Sequence, residues 1–233
     1  MFDDLLGETL APVRVDYIAA RRAWEEWFDA PLVPTNVALD ARLVDAGTRA
    51  GFVPVCRTRG YFHIATGEFV RALAAVLRRL PGPYVEVGAG RGALAQAVRG
   101  DGVPLIATDD GTWWPETERA ATDIRGPEAA GEVERADVLT ALATHHPGTV
   151  LAVWPPHGTD WPTLFRATPG VQAYLLVGDG TGAMTGSGAT WGAAPGWRRT
   201  WLPHLAALGR CRLDADGTRH TRALLVRRIA AKA

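Results

Sequence analysis

Apolar side chains recur at helical spacing through the first third of the chain. The spacing predicts one helix over about residues 15–28 and a second that begins near Thr35 and ends at Gly47 or Gly51. A third helix is predicted to start after Thr66, a residue type that favours the N-cap position. Its apolar residues fall at i, i+4, i+7, i+8 and i+11, which is the stripe of an amphipathic helix. We therefore expect a helical cap ahead of the first strand of the fold.

Beyond residue 80 the pattern changes to short apolar runs that alternate with helical segments. The predicted strands are residues 84–87, 104–108, 150–154 and 171–177, and the predicted helices are residues 91–98, 136–144 and 161–167. Strands that are apolar at successive positions are typical of a parallel sheet covered by helices on both faces. The end of the chain differs, because two short runs at residues 211–213 and 223–227 flank an Asp-Gly turn signal.

These patterns together predict an α/β protein with two parts. Residues 1–80 are expected to form an N-terminal helical cap. Residues 81–233 are expected to form a Rossmann-like, doubly wound and mostly parallel sheet that ends in a C-terminal antiparallel hairpin at its edge. Ligands of open α/β sheets bind beyond the carboxyl ends of the strands, so candidate functional residues are sought in the loops there.

A glycine-rich turn that contains Gly88, Gly90 and Gly92 closes the first predicted strand and opens a helix. Glycine suits such a turn because it permits a tight bend and a close approach of a ligand to the backbone. With Ala93, the pattern also satisfies the dinucleotide-binding fingerprint. Glu86 favours a cationic cofactor over a dinucleotide, because its carboxylate repels a pyrophosphate and attracts an ammonium or a sulfonium group.

An acidic residue ends the second predicted strand. Asp109 occupies the position where a carboxylate accepts hydrogen bonds from both ribose hydroxyls, and Asp110 is the alternative for the same role. Because NAD enzymes share an acid at this position, Asp109 indicates a nucleoside without choosing the cofactor.

The two segments resemble the class I S-adenosylmethionine-dependent methyltransferases. Residues 85–92 and 107–109 match the first two motifs of that family, and the resemblance extends from about residue 81 to the C-terminus. It implies that S-adenosylmethionine is the cofactor, that S-adenosylhomocysteine is the product, and that Asp109 holds the ribose. It also implies that four residues line the methionine side of the cofactor: Glu86, Gly88, Gly90 and Gly92.

Asp137 is a further cofactor candidate. Together with Val138 it is similar to the acidic segment that contacts the adenine amino group in many members of the family. An aspartate that opens a helix also serves as an N-cap, and both interpretations stay open at this point.

A turn after a later strand carries candidates for the methyl acceptor. Trp154, Pro155, Pro156 and His157 are similar to the (Asn/Asp)-Pro-Pro-aromatic motif of amino-group methyltransferases. The sequence departs from that motif at both ends, and Trp154 cannot accept a hydrogen bond from an amine, which argues against methylation of a nucleobase amino group. Trp154, Pro155 and Pro156 remain candidate substrate-binding residues. His157 is a candidate catalytic base near neutral pH, or alternatively a polar residue of the turn.

Other loops add candidates around the cofactor. Tyr61 and His63 precede the last N-terminal helix, where the resemblance implies a lid, so Tyr61 is a candidate catalytic residue and His63 a candidate substrate-binding residue. Trp113 and Trp114 follow Asp110 closely and are expected to stack near the adenine. The glycine-rich segment 178–196 is long for a connection without regular structure, so we expect it to border the acceptor pocket.

Composition narrows the choice of partners and compartment. The 25 basic and 25 acidic residues give a formal net charge of zero, so a broad basic surface for nucleic acid is not expected. Cys56 and Cys211 are expected to be free thiols, and no Cys/His spacing indicates a metal site. The acidic N-terminus lacks the pattern of a secretory signal, and no apolar run has the length of a membrane span. We therefore expect a cytoplasmic protein.

The leading hypothesis is a methyltransferase that acts on a nitrogen or oxygen of a small molecule or peptide. The sulfonium is already activated, so the enzyme supplies mainly alignment and desolvation, and no acid–base constellation needs to stand out in the sequence. The alternatives are an enzyme of the same fold that catalyses an intramolecular displacement or cyclisation, a nucleic-acid methyltransferase, and an NAD oxidoreductase, which Glu86 disfavours. Exposed aromatic surface on the N-terminal helices would favour a homodimer.

Overall fold

The computed structural model describes residues 17–29, 35–112 and 132–230. Within these ranges the helices are α1 (Tyr17–Asp29), α2 (Asn36–Val44), α3 (Ala46–Thr58), α4 (Gly67–Leu77), α5 (Ala93–Gly100), α6 (Val138–His145), α7 (Trp161–Ala167) and α8 (Pro203–Leu208). The strands are β1 (His63–Ile64), β2 (Tyr84–Val87), β3 (Leu105–Asp109), β4 (Glu134–Arg135), β5 (Thr149–Val153), β6 (Ala173–Gly178), β7 (Trp197–Trp201), β8 (Arg210–Cys211) and β9 (Arg222–Arg228). None of the helices in these ranges combines the length and the apolar character that a membrane span requires.

The N-terminal region contains one helix more than the sequence pattern predicted. The predicted helix from Thr35 to Gly47 or Gly51 ends at Val44, and α3 starts beyond it. Asp45 causes the break, because its Oδ2 accepts a hydrogen bond from the Thr48 backbone N–H at 2.8 Å and thereby caps a new helix. Gly51 lies inside α3, where a Cβ atom would approach the α1 backbone to 2.6 Å. The glycine thus permits close packing of the two helices instead of ending one.

The first three helices enclose a small core of their own. Trp24 is fully buried and donates a hydrogen bond from Nε1 to the Thr48 carbonyl oxygen at 2.6 Å. Its ring lies 4.8 Å from the Phe52 ring, and the cluster also includes Ile64 of β1. This cap cluster therefore extends to the segment that leads into the main domain.

Within the described residues, one sheet has the strand order β4–β3–β2–β5–β6–β9–β7. The first five strands of this order are parallel, and β9 runs antiparallel to both of its neighbours. The chain moves outward in one direction from β2 to β4 and then in the other direction from β5. The boundary between β2 and β5 is consequently a topological switch point, where open α/β sheets bind their ligands. The Rossmann-like fold predicted from the sequence is confirmed.

Helices cover both faces of this sheet. One face packs against α4, α5 and α8 through residues that include Leu151 and Leu175. The other face packs against α6 and α7 through the alternate residues, including Val150 and Tyr174. The sheet is therefore doubly wound, as predicted. Helix α4, the third of the predicted N-terminal helices, contributes to the sheet's core and not to the cap cluster.

The C-terminal antiparallel arrangement is present, but the predicted pairing was wrong. The edge partner of β9 is β7, whereas β8 pairs with β1 in a separate two-stranded sheet. Residues Arg212–Asp216 form a 3-10 helix because Asp214 accepts hydrogen bonds from the backbone N–H groups of Cys211 and His220. This local closure removes the segment at residues 211–213 from the main sheet.

Candidate functional site

A cavity of about 510 Å³ opens at the switch point, beyond the carboxyl ends of β2, β3 and β5. Its volume lies in the range of pockets that bind cofactors and small molecules. Of the sixteen residues that the sequence predicted for the site, Trp113 and Trp114 lie outside the described residues. The cavity brings together thirteen of the other fourteen: Tyr61, His63, Glu86, Gly88, Gly90, Asp109, Asp110, Asp137, Val138, Trp154, Pro155, Pro156 and His157. Gly92 is the exception.

The glycine-rich turn after β2 adopts the left-handed conformation at three positions. The φ angles are +68° at Gly88, +60° at Gly90 and +77° at Gly92, values that side chains other than glycine rarely tolerate. A Cβ atom at Gly88 would lie 2.7 Å from the Trp161 ring, and one at Gly92 would lie 2.5 Å from Val133. Gly92 therefore serves the start of α5 and its packing, while the other two glycines shape the cavity wall.

Glu86 is a buried carboxylate at the base of this turn. Its side chain is 2% exposed, and Oε2 has no hydrogen-bond partner among the described residues. Burial raises the pKa of Glu86 to about 8, the charge of Asp109 adds to that effect, and Arg99 opposes it. A buried carboxyl group without a partner is costly unless a ligand supplies a hydrogen-bond donor or a positive charge.

Asp109 holds the glycine turn in place from the neighbouring strand. Its Oδ2 accepts a hydrogen bond from the Gly90 backbone N–H at 2.8 Å, and its Oδ1 accepts one from the Gly111 N–H at 2.7 Å. Asp109 also lines the cavity, at the position that the sequence resemblance assigns to the ribose. Asp110 is exposed and uses Oδ1 to accept hydrogen bonds from the backbone and hydroxyl of Thr112.

Asp137 caps α6 and also lies on the cavity wall. Its Oδ1 accepts a hydrogen bond from the Thr140 backbone N–H at 2.7 Å, and this bond is the main cause of its lowered pKa. The two interpretations of this residue are geometrically compatible, because Asp137 and Val138 both line the cavity. The predicted adenine-stacking residues Trp113 and Trp114 lie outside the described residues.

Trp154 occupies a strained position directly after β5. Its φ angle is +55°, which is unusual for a bulky residue, and its backbone N–H donates a hydrogen bond to the Val177 carbonyl oxygen at 2.7 Å. The side chain is buried, its Nε1 has no hydrogen-bond partner among the described residues, and its ring lies 4.6 Å from the Phe62 ring. Phe62 lines the same cavity and was not among the predicted site residues.

The carbonyl groups of Pro155 and Pro156 are engaged by the protein itself. Both oxygens accept a hydrogen bond from the Gly186 N–H, at 3.1 and 3.2 Å. The Pro156 oxygen also accepts bonds from the backbone N–H and the hydroxyl of Thr159. A substrate-binding role of Pro156 therefore cannot depend on its carbonyl oxygen, because that oxygen is fully used within the turn.

The glycine-rich segment that follows β6 contributes Met184 and Thr185 to the cavity wall. Asp179 organises the segment, because its carboxylate accepts hydrogen bonds from the Met184 N–H and from the hydroxyl groups of Thr181 and Thr185. Burial alone would raise the pKa of Asp179, but these hydrogen bonds hold it well below its usual range. The segment therefore borders the cavity as expected and has a fixed shape there.

His63 presents a neutral imidazole at the cavity wall. Both ring nitrogens are buried without hydrogen-bond partners among the described residues, and the ring lies 4.3 Å from the Phe69 ring. Burial lowers the pKa of His63 to about 3, so the ring is uncharged at neutral pH. His157, the predicted base, is exposed. Tyr61 lies with its ring 5.3 Å from the Phe28 ring of the cap cluster.

Arg212 was not predicted from the sequence, although it lines the cavity. It is half-buried directly after β8, and its guanidinium lies 4.2 Å from the centre of the Phe62 ring. No local motif marks this arginine, because the residue that it contacts is distant in the chain. The pairing of β8 with β1 is what places Arg212 on the cavity wall.

No family model and no curated protein matches this chain. Among solved structures, the chain is similar to a ribosomal protein L11 methylase from Lactobacillus delbrueckii subsp. bulgaricus, at 16% identity and a TM-score of 0.42 over 69% of this chain and 78% of the other. A putative tRNA (m1A22) methyltransferase from Streptococcus pneumoniae has 13% identity and a TM-score of 0.40, over 70% of each chain. An O-methyltransferase family protein from Burkholderia thailandensis has 15% identity and a TM-score of 0.36, over 96% of this chain and 75% of the other.

Proposed function

We propose that the protein binds S-adenosylmethionine in this cavity and transfers its methyl group to a nitrogen or oxygen of a small molecule or peptide. The observation that carries the proposal is Glu86, a buried carboxyl group with an unpartnered oxygen beside a left-handed glycine turn. A ligand that brings positive charge to this point stabilises the carboxylate, which burial alone destabilises. The ammonium and sulfonium groups of S-adenosylmethionine both have the required charge.

The alternative ligand of this turn, a dinucleotide, fits the site less well. A pyrophosphate beside the glycine turn would face the Asp109 carboxylate, and it would favour the protonated form of Glu86, whereas a cation stabilises the carboxylate form. The sheet also departs from the dinucleotide-binding order, because antiparallel β9 lies between β6 and the edge strand β7.

The residues at the cofactor end have distinct roles in this proposal. Glu86 binds the cationic methionine part, and the bare backbone at Gly88 and Gly90 permits its close approach. Asp109, at the end of β3 on the cavity wall, accepts hydrogen bonds from the ribose. Asp137, on the cavity wall, accepts a hydrogen bond from the adenine amino group. When bound, S-adenosylmethionine supplies an activated methyl group for in-line displacement.

The acceptor end provides a dry surface for the nucleophile. The half-buried ring of Phe62 and the buried ring of Trp154 limit the access of water, which strengthens electrostatic interactions and leaves the nucleophile less solvated. The neutral ring of His63 offers one N–H donor and one lone pair to orient an acceptor. His157 is exposed at the same wall and takes the role of proton acceptor, with Tyr61 as a second candidate.

Calorimetric titration tests the cofactor assignment. Wild type is expected to bind S-adenosylmethionine and S-adenosylhomocysteine but not NAD. Glu86→Gln is expected to lower the affinity for S-adenosylmethionine at least about a hundredfold, because an uncharged amide cannot pair with the cation. Glu26→Gln is the matched control, since Glu26 is exposed on α1 and pairs with Arg22. Unchanged affinity in Glu86→Gln, or preferential binding of NAD, would contradict the proposal.

A further inference from the structure

Arg212 lies in a part of the cavity that the cofactor assignment does not use. The Arg212 backbone N–H donates a hydrogen bond to the Phe62 carbonyl oxygen at 2.9 Å, next to the β1–β8 pair. This bond brings the two side chains together, with the guanidinium 4.2 Å from the centre of the Phe62 ring. The backbone therefore fixes where the positive charge enters the cavity.

The guanidinium of Arg212 has no ion-pair or hydrogen-bond partner among the described residues. The nearby Arg210 shows the contrast, because its guanidinium binds both carboxylate oxygens of Asp40 at 2.9 Å. Burial lowers the pKa of Arg212, and the positive charge of Arg57 lowers it further. A half-buried cation beside a second cation is stabilised by an anion, and within the described chain the protein supplies none.

The surroundings of Arg212 restrict the anion that fits. Phe62 and Trp154 form a continuous aromatic wall, with their ring centres 4.6 Å apart, and Met184 also lines the cavity. The planar fork of an arginine binds a carboxylate with two parallel hydrogen bonds. Arg57 is exposed and does not line the cavity, and Arg91, which does line it, follows Gly90 in the glycine turn. Beside Phe62 and Trp154 the guanidinium is therefore that of Arg212, which matches a single negative charge.

We propose that Arg212 binds the carboxylate of the substrate, so that the methyl acceptor is a small organic acid with a flat, apolar body. The carboxylate pairs with the guanidinium while the apolar body packs against Phe62 and Trp154. The role of the ligand as methyl acceptor rests on the proposed function, whereas the carboxylate site itself does not.

Titration with matched fragments tests this proposal. Benzoate, benzamide and phenyl phosphate are added to the protein saturated with S-adenosylhomocysteine, and binding is followed by calorimetry or ligand-observed NMR. Benzoate is expected to bind at least about tenfold more tightly than its uncharged isostere benzamide, and Arg212→Met is expected to remove this preference. Arg57→Met, which removes the neighbouring exposed charge, is expected to keep it.

Several outcomes would overturn the proposal. Equal binding of benzoate and benzamide, no benzoate binding at millimolar concentration, or unchanged benzoate affinity in Arg212→Met would each contradict a carboxylate site. Tighter binding of phenyl phosphate than of benzoate would also contradict the proposal, because the site would then prefer a phosphate ester to a carboxylate.

The affinity for S-adenosylhomocysteine controls for folding, because it is expected to stay the same in Arg212→Met. If S-adenosylhomocysteine fails to bind wild type, the fragments are titrated into the protein alone. Benzoate binding that depends on Arg212 would then retain the carboxylate site while the proposed function fails.

Discussion

The two ends of the cavity differ in charge and in origin. The carboxylate end consists of Glu86, Asp109, Asp110 and Asp137. Glu86 lies near the end of β2, Asp109 ends β3 and Asp110 follows it, and Asp137 caps α6. The arginine end consists of Phe62, His63, Trp154 and Arg212, which come from three segments far apart in the chain. The first end arises from the fold's strand order, while the second requires a separate strand pair, β1 with β8.

This difference indicates what each end binds. Glu86 at one end has an unpartnered oxygen, and Arg212 at the other has no described anionic partner. A cation would stabilise the carboxylate form of Glu86 and an anion would pair with the Arg212 guanidinium, so the two proposals call for ligand groups of opposite sign. A cationic cofactor and an anionic acceptor, bound side by side, satisfy both.

The largest expected effect comes from a substitution that breaks the carboxylate end sterically. Gly90→Val places a β-branched side chain at a φ angle of +60° and displaces the N–H that binds Asp109. We expect S-adenosylhomocysteine binding to fall by more than about a hundredfold in calorimetry. Gly102→Val is the matched control, because Gly102 has a φ angle of +82° and no atom lies within 4 Å of the position that its Cβ would take. Equal loss in both variants would point to strain instead of the site.

The next effect is the pH dependence of cofactor affinity at the carboxylate end. Glu86 has a raised pKa of about 8, so its protonated form competes with a cationic ligand at lower pH. The affinity for S-adenosylmethionine is expected to fall about tenfold per unit as the pH decreases below 8, because one proton must leave for each ligand bound. The affinity of Glu86→Gln for S-adenosylmethionine should depend much less on pH between pH 6 and pH 8. A flat profile in wild type would contradict a protonated Glu86.

A smaller effect concerns the stability of the ligand-free protein. Because folding raises the pKa of Glu86 from about 4.5 to about 8, its contribution to stability is greatest below pH 4.5 and is lost as the pH rises towards 8. Glutamine does not ionise, so Glu86→Gln avoids this pH-dependent decrease in stability. The Tm of the variant should exceed that of wild type by several degrees at pH 8 and by less at pH 5. Scanning calorimetry at both pH values measures the difference. A Tm advantage that does not grow with pH would contradict the expectation.

The smallest effect distinguishes the two interpretations of Asp137. Asparagine retains the N-cap of α6, whereas alanine removes it at a cost of about 1 kcal/mol. If Asp137 also binds the adenine amino group, Asp137→Asn should lower the affinity for S-adenosylhomocysteine severalfold with little change in Tm. If Asp137 is only a cap, Asp137→Asn should bind normally, and only Asp137→Ala should show a lower Tm.

The carboxylate end was predictable from the sequence because its signals are local. The continuous apolar strands identified the sheet, and in a parallel sheet the carboxyl ends of neighbouring strands meet at one edge. Glu86, Gly88, Gly90 and Asp109 therefore had to lie close together once their strands were recognised, and the structure places them on one cavity wall.

The arginine end was not predictable because it depends on strand pairing at long range. The run at residues 211–213, in which Arg212 stands between two apolar residues, has the alternation of an edge strand of the main sheet. Only the three-dimensional pairing of Cys211 with His63 shows its partner. Helix α3 was missed for a different reason. Gly47 and Gly51 are typical helix-ending signals, but Gly51 is used for close packing against α1.

Proton release on cofactor binding tests the central claim most directly. Calorimetry at pH 7 in two buffers of different ionisation enthalpy counts the protons that leave the protein when S-adenosylmethionine binds. With a pKa of about 8 in the ligand-free protein, Glu86 is mostly protonated at pH 7, so wild type should release close to one proton per ligand. Any residual binding to Glu86→Gln should release almost none. Equal proton release in the two proteins, or none in wild type, would contradict the pairing of Glu86 with a cationic cofactor.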